Sequence, residues 1–194
     1  MCDFVSQIYE DHEDLLLIHG KGGAKVPYTN ALLFDDVLID TGTSSSYLNK
    51  IKKIYPISKV IFSHWHDDHI RNHKIFENAI KSCHVDAKPI IENIDQLIDL
   101  YNIRKGPAEQ MFKRFLSDYI DVYDSKIENV FHDEEMIKTS SEMPLKVVYT
   151  PGHSIGHCSF HLSERNFAFI ADIDLSKFGP WYGGLDSNIE EFIN

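Results

Sequence analysis

The chain has 194 residues, of which 43% are hydrophobic and 25% are charged, the balance of an ordinary soluble globular protein. Its 30 acidic and 19 basic residues give a formal net charge of −11, which repels nucleic-acid backbones and anionic membranes, so we expect neither as a partner. No apolar run approaches the ~20 residues that cross a bilayer, and the first residues do not resemble a signal peptide, so we expect a cytoplasmic protein.

Short β-like runs dominate the first third of the chain. Their β-branched and aromatic residues, interrupted by turn residues, predict antiparallel strands joined by turns. The predicted strands are 4–9, 14–19, 27–34 and 37–40. A serine-capped helix is predicted over 44–55, because its apolar residues recur at helical spacing. A short apolar strand at 59–62 then leads directly into a cluster of histidines.

The middle of the chain is predicted to be largely helical. After a strand at 81–87, the segments 89–101 and 107–123 both show helical periodicity and are separated by a Lys-Gly-Pro break. Further strands are predicted at 145–150, 157–162 and 166–172, and a helix at 189–194. Strand sets at both ends with helices between them predict one α+β layered domain over 1–194, with a helical insert at about 89–123.

The histidine cluster is the strongest functional signal. Three of the 11 histidines fall within residues 64–69, at the end of the strand 59–62. Alternate side chains of an extended segment point the same way, which places His64 and His66 on one face. Asp68 and His69 follow where the chain begins to coil, so they can turn toward the same cavity. Imidazoles and a carboxylate suit zinc, iron or manganese, whereas a histidine-rich surface loop would need no adjoining strand.

The pattern His-x-His-x-Asp-His after a short strand resembles the signature of the metallo-β-lactamase superfamily of hydrolases. Three other segments agree with that family, and the agreement extends over nearly the whole chain. They are Asp40-Thr41-Gly42 at the end of an early strand, Thr-Pro-Gly-His-Ser at 150–154, and Ala171-Asp172 at the end of a late strand. The resemblance implies a four-layer αββα sandwich with metals at one edge of its two sheets.

The resemblance also implies a dinuclear site that holds two divalent metal ions, zinc by default and iron or manganese as alternatives. The implied ligands are His64, His66 and His153 for the first metal and Asp68 and His69 for the second, with Asp172 bridging the two.

Two carboxylates have further implied roles. Asp40 would hydrogen-bond a ligand histidine and fix its tautomer. Asp68 would be the catalytic residue that orients water and takes or returns a proton. Simpler interpretations stay open: the Pro-Gly-His segment as a turn, Asp172 as a loop cap, and Asp40 as the holder of its own turn.

One feature departs from the family pattern. The family supplies a last histidine from a loop after the bridging aspartate, but none of the residues 173–194 is histidine. We therefore expect a C-terminally incomplete sandwich, and either a truncation, a second subunit or a weakly held second metal would account for the missing ligand. An unfinished sandwich exposes apolar surface and an open edge, which favours a homodimer.

Metal-activated hydrolysis of a small molecule is the expected reaction. Esters, thioesters, lactones and similar compounds are the candidate substrates, because one ligand set serves many substrates in this family. Histidine at position 66, where oxygen-reducing diiron relatives have glutamate, favours hydrolysis over redox chemistry. The insert and the loop 178–184 would set specificity. Trp181 and Tyr182 would either line the pocket or pack under the C-terminal part of the fold. A phosphodiesterase and a catalytically impaired metal-binding module are the alternatives.

Overall fold

The computed structural model describes residues 2–10, 12–173, 179 and 181–193. Seven strands form a mixed sheet in the order of the chain, antiparallel from β1 to β4 and parallel from β4 to β7. They are β1 (Val5–Tyr9), β2 (His12–Ile18), β3 (Ala31–Phe34), β4 (Val37–Ile39), β5 (Lys59–Phe62), β6 (Ile80–His84) and β7 (Asn129–Phe131).

A second sheet of four antiparallel strands lies against the first, in the order β11-β10-β9-β8. Its strands are β8 (Met136–Lys138), β9 (Pro144–Tyr149), β10 (Cys158–Leu162) and β11 (Phe167–Phe169).

The helices are short. They are α1 (Lys21–Ala24), α2 (Ser45–Ile54), α3 (Asp67–Ile70), α4 (Lys88–Ile91), α5 (Ile94–Leu100), α6 (Pro107–Phe115) and α7 (Ile189–Ile193). Single 3₁₀ turns occupy His73–Phe76 and Ser163–Arg165, and a π turn follows α6 at Leu116–Ile120. None of the helices in the described part of the chain has the length and apolarity that a membrane crossing needs.

Alternating side chains give the large sheet two buried faces. On β3, Leu32 and Phe34 belong to the core between the two sheets, whereas Leu33 belongs to the core under the helices. Successive strand residues point to opposite faces, so a strand covered on both sides is apolar throughout, as β3 is. Leu48 and Ile51 of α2 complete the helical side of the core. The described layers therefore run helices, sheet, sheet.

Most of the predicted elements are confirmed although several of their bounds differ, and three of the differences have a clear local cause. The strand predicted at 27–34 begins only at Ala31, because Tyr28 closes a turn by donating its N–H to the Lys25 carbonyl. The helix predicted at 89–101 is two helices, because Asn93 interrupts it and caps α5 by accepting from the Asp95 N–H. The helix predicted over 107–123 ends at Phe115 and continues only as the π turn.

The strand ends that carry polar motifs meet at one edge of the sandwich. Asp40 follows β4, and the histidine cluster follows β5, its parallel neighbour. His153 lies in the loop from β9 to β10, and Asp172 follows β11 in the same sheet. Both sheets thus contribute loops to the same edge, which brings the two halves of the chain together there.

Candidate metal centre

Four of the predicted ligands converge at this edge. Nδ1 of His66 lies 2.9 Å from Nε2 of His64 and 2.9 Å from Nε2 of His153. Oδ2 of Asp172 lies 3.5 Å from Nε2 of His153 and 4.0 Å from Nε2 of His64. All four ligand atoms lie within 4.8 Å of one another. These spacings resemble the roughly 3.3 Å that separates ligand atoms around a tetrahedral ion with metal–nitrogen distances of about 2.0–2.1 Å.

The arrangement of ring nitrogens fits a bound cation better than hydrogen bonds. Nδ1 of His66 has either one proton or one lone pair, so it cannot pair fully with both neighbouring nitrogens. Burial lowers the pKa of His64, His66 and His153, and neighbouring imidazoles lower it further. Neutral imidazoles are the form that metals bind, so this donor set fits a divalent metal ion.

Asp40 is hydrogen-bonded to residues of the histidine cluster. It is fully buried, and its carboxylate accepts hydrogen bonds from the Ser63 N–H at 2.8 Å and from the Ser63 hydroxyl at 2.7 Å. Its Oδ2 also accepts from Nδ1 of His69 at 2.7 Å. The Asp40 side chain therefore does not merely hold its own turn. It fixes the proton of His69 on Nδ1 and turns Nε2 toward Asp172.

Ser63 fixes the tautomer of His64 in the same way. The Ser63 hydroxyl gives its proton to Asp40, so it accepts from Nδ1 of His64, which lies 3.0 Å away. Nε2 of His64 then keeps its lone pair and faces the other ligands. A single buried carboxylate thereby orients two histidines, one directly and one through a hydroxyl.

His69 and Asp68 lie beside the group of four rather than within it. Nε2 of His69 is 2.9 Å from Oδ1 of Asp172. The carboxylates of Asp172 and Asp40 raise the pKa of His69 well above its ordinary value against the effect of burial, and His69 in turn lowers the pKa of Asp172. Asp68 lines the same cavity, and burial raises its pKa to about 6.

The Asp40-Thr41-Gly42 loop packs directly against the backbone of the cluster. The Thr41 N–H donates to the His69 carbonyl at 2.9 Å, and the Thr29 hydroxyl donates to the Asp68 carbonyl at 3.0 Å. A Cβ at Gly42 would lie 1.9 Å from that Asp68 carbonyl oxygen. Only glycine fits at position 42, so the close packing of this loop fixes the backbone position of Asp68 and His69.

His157 is a buried residue beside the ligands that is not among the ligands predicted from the sequence. Its Nδ1 donates to the Thr150 carbonyl at 3.0 Å, which leaves Nε2 as an acceptor for the Asp172 N–H at 3.3 Å. Burial lowers the pKa of His157 to about 3, so the ring is neutral at pH 7. The ring thus ties the start of the His153 loop to the segment that carries Asp172.

A cavity of about 410 Å³ opens above the ligands. Tyr101, from the helical insert, and Trp181 form its aromatic walls, and Val26 lies at its rim. The prediction that Trp181 lines the pocket therefore agrees with the structure. Tyr182 instead packs against Phe192, with ring centroids 5.5 Å apart. Phe178 and Pro180 of the same loop lie outside the described residues.

Solved structures of known proteins share this architecture. The superposition on the metallo-beta-lactamase IND-7 covers 99% of this chain and 82% of the IND-7 chain, with a TM-score of 0.64 and 13% sequence identity. The superposition on TTHA1623, solved in a di-iron-bound form, covers 84% of this chain and 77% of the TTHA1623 chain, with a TM-score of 0.62 and 16% sequence identity. The superposition on the B3 metallo-beta-lactamase BLEG-1 covers 84% of this chain and 76% of the BLEG-1 chain, with a TM-score of 0.63 and 16% sequence identity. At these identities the likeness establishes the fold.

Sequence similarity gives the family independently of the fold. The model of the metallo-beta-lactamase superfamily matches residues 25–191, which include every predicted ligand. That membership, together with the convergent histidines and aspartate, supports a metal-dependent hydrolytic enzyme with divalent metal binding. The chain belongs to the metallo-beta-lactamase superfamily.

Proposed function

We propose that this protein is a dinuclear metal-dependent hydrolase that cleaves an ester, thioester, lactone or similar small substrate. The observation that carries the proposal is the convergence of His64, His66, His153 and Asp172 within 4.8 Å, with the last three of these lining a cavity. Zinc is the proposed metal, because neutral imidazoles and carboxylates are its usual donors. A divalent metal held there would supply Lewis-acid polarisation of a carbonyl oxygen and activation of water.

The residues of the chain have distinct proposed roles. His64, His66 and His153 would hold the first metal, Asp68 and His69 would contribute to the second, and Asp172 would serve both. Asp40 keeps the proton of His69 on Nδ1 through a 2.7 Å hydrogen bond. Asp68 borders the cavity, and we assign to its carboxylate the exchange of a proton with the attacking water.

The proposal is tested with metal-stripped protein that is reloaded with zinc, manganese or iron. We expect close to two metals per chain by elemental analysis, and turnover on a panel of esters, thioesters and lactones that requires the metal. His66→Ala should lose both metal and turnover, whereas His132→Ala, which alters an exposed histidine outside the site, should keep both. Full turnover by the metal-free protein would contradict the proposal.

A catalytically impaired metal-binding module is the second candidate. The geometry favours it in one respect, because the four convergent ligands would hold one ion, and Asp68 and His69 lie beside that group rather than within it. Such a module would bind one metal and show no metal-dependent turnover on the panel. Phosphodiester substrates belong in the same panel, since the ligand set alone does not exclude them.

A further inference from the structure

The cavity above the ligands has an aromatic wall built from distant parts of the chain. Tyr101 lies at the end of α5 in the insert, and Trp181 lies beyond β11. Their ring centroids are 5.8 Å apart, and that of Trp181 lies 5.3 Å from the ring of His66. An apolar group packed against the exposed surface of these rings would therefore lie directly beside the metal-binding face.

Tyr101 is held rigidly in this wall. Its hydroxyl donates to Oδ1 of Asp67 at 2.5 Å, and its ring lies 5.2 Å from Trp65 and 5.8 Å from Phe112. The hydroxyl is thus occupied by a carboxylate and is not offered to a ligand. What Tyr101 presents to the cavity is the apolar surface of its ring.

Trp181 presents an open apolar surface. It is 49% exposed, in contrast to Trp65, which is completely buried and donates its indole N–H to Asp186. Val26, 84% exposed at the rim, extends this surface outward. Large exposed aromatic and aliphatic groups around a concave site mark ligand-binding surface.

The charges around the cavity have one sign. Asp67, Asp68 and Asp172 are among the residues that line it, and no lysine or arginine is among the described lining residues. A net charge of −11 adds to the negative potential. The protein itself therefore offers no cationic side chain to an anionic group beside the aromatic wall, and only metals bound at the ligands would attract one.

We propose that Tyr101, Trp181 and Val26 form a subsite for an uncharged apolar group, so that the preferred substrates are neutral aliphatic or aryl esters or thioesters. This inference rests on the proposed hydrolase function and specifies its substrate class. The subsite holds the acyl or leaving group against the rings while the scissile carbonyl lies over His66 and His153.

The first experiment measures kcat/KM of the metal-loaded protein on p-nitrophenyl esters from acetate to hexanoate. We expect a rise of roughly two- to fourfold for each added methylene until the cavity is filled. The adipate monoester, in which a carboxylate replaces the terminal methyl group of hexanoate, should be at least about tenfold poorer than hexanoate. A flat series, or a preference for the adipate monoester, would overturn the inference.

Variants locate the effect. Trp181→Ala and Tyr101→Ala should reduce the hexanoate-to-acetate ratio toward one, and Trp181→Phe should retain most of it. Tyr119→Ala removes a 76% exposed aromatic that does not line the cavity, and should leave the ratio unchanged. An unchanged ratio in folded Trp181→Ala and Tyr101→Ala proteins would overturn the assignment of the subsite to these rings.

A binding measurement separates this inference from the hydrolase proposal. Trp181 and the buried Trp65 are the two tryptophans of the chain, so titration with 1-hexanol should give a saturable fluorescence change that Trp181→Phe abolishes. Saturable 1-hexanol binding with no ester turnover would support the subsite and contradict the proposed function. Ester turnover with neither a chain-length preference nor 1-hexanol binding would support the hydrolase function and contradict the subsite.

Discussion

Nε2 of His157 accepts the backbone N–H of Asp172 at 3.3 Å, while its Nδ1 is held by the Thr150 carbonyl at 3.0 Å. A neutral histidine therefore positions the backbone of the proposed bridging ligand without contacting the metals through its own lone pair. The interaction joins residues from two loops of the small sheet, and it explains why a second histidine follows the Thr-Pro-Gly-His segment.

His157→Ala should weaken zinc binding about tenfold to hundredfold, the usual effect of removing a partner that orients a ligand. His157→Gln should retain much of the affinity, because an amide can donate to Thr150 and accept from Asp172. Zinc titration against a competing chelator measures the effect, with His161→Ala, in the strand β10 that follows His157, as a control. Equal affinities for His157→Ala and the unaltered protein would show that the contact does not position Asp172.

Asp40→Asn should weaken zinc binding by a similar factor. An amide in place of the carboxylate offers a donor where Ser63 and Nδ1 of His69 both need an acceptor. Asp36→Asn provides a matched control, because Asp36 is also buried and accepts from the Ser140 N–H, but it lies in the turn between β3 and β4. If both variants lose equal affinity, a general loss of stability rather than the tautomer of His69 is responsible.

Gly42→Ala should destabilise the fold by about 1–3 kcal/mol, the typical effect of forcing extra volume into a packed site. The added Cβ would overlap both the Asp68 carbonyl oxygen and the Thr29 hydroxyl. Urea unfolding measures the loss. Adding Thr29→Ala removes one of the two overlaps but not the one with the backbone, so most of the loss should persist. Full recovery in the double variant would place the strain at Thr29 alone.

Stability of the metal-free protein should fall as the pH drops below about 6.5. Burial lowers the pKa of His73 to about 4, so the unfolded chain takes up a proton at this position before the folded chain does. The stabilising difference is present above the unfolded pKa and is lost between pH 6.5 and pH 4, amounting to about 2 kcal/mol between pH 7 and pH 5. Urea unfolding at the two pH values should show a smaller pH-dependent loss for His73→Gln. An identical loss would exclude His73 as its source.

Periodicity and short motifs predicted most of the fold. The strands that are apolar on both faces, such as β3, are conspicuous, and Ser44 marks the start of α2. The strands β7 and β8 escaped prediction because each has only three residues and no clear alternation. The break between α4 and α5 was readable in principle, since Asn93 is a good helix cap, but the apolar periodicity on both sides concealed it.

The site was predictable where ligands cluster in sequence and less so where contacts are long-range. His64 and His66 lie together because they alternate at a strand end. The bond from His157 to Asp172 depends on how two loops pack, which no spacing in the chain encodes. The aromatic wall joins Tyr101 to Trp181 across 80 positions, and the sequence suggested only the second of these residues.

Anomalous X-ray diffraction at the zinc absorption edge, from crystals of the zinc-loaded protein, tests the central claim most directly. The proposed dinuclear site should give a peak about 2.0–2.1 Å from Nε2 of His64, Nδ1 of His66 and Nε2 of His153, and a second peak about 3.5–4 Å away, beside Asp172. In His66→Ala crystals the first peak should vanish, with or without the second. No peak at these three nitrogens in crystals soaked with excess zinc would contradict the account.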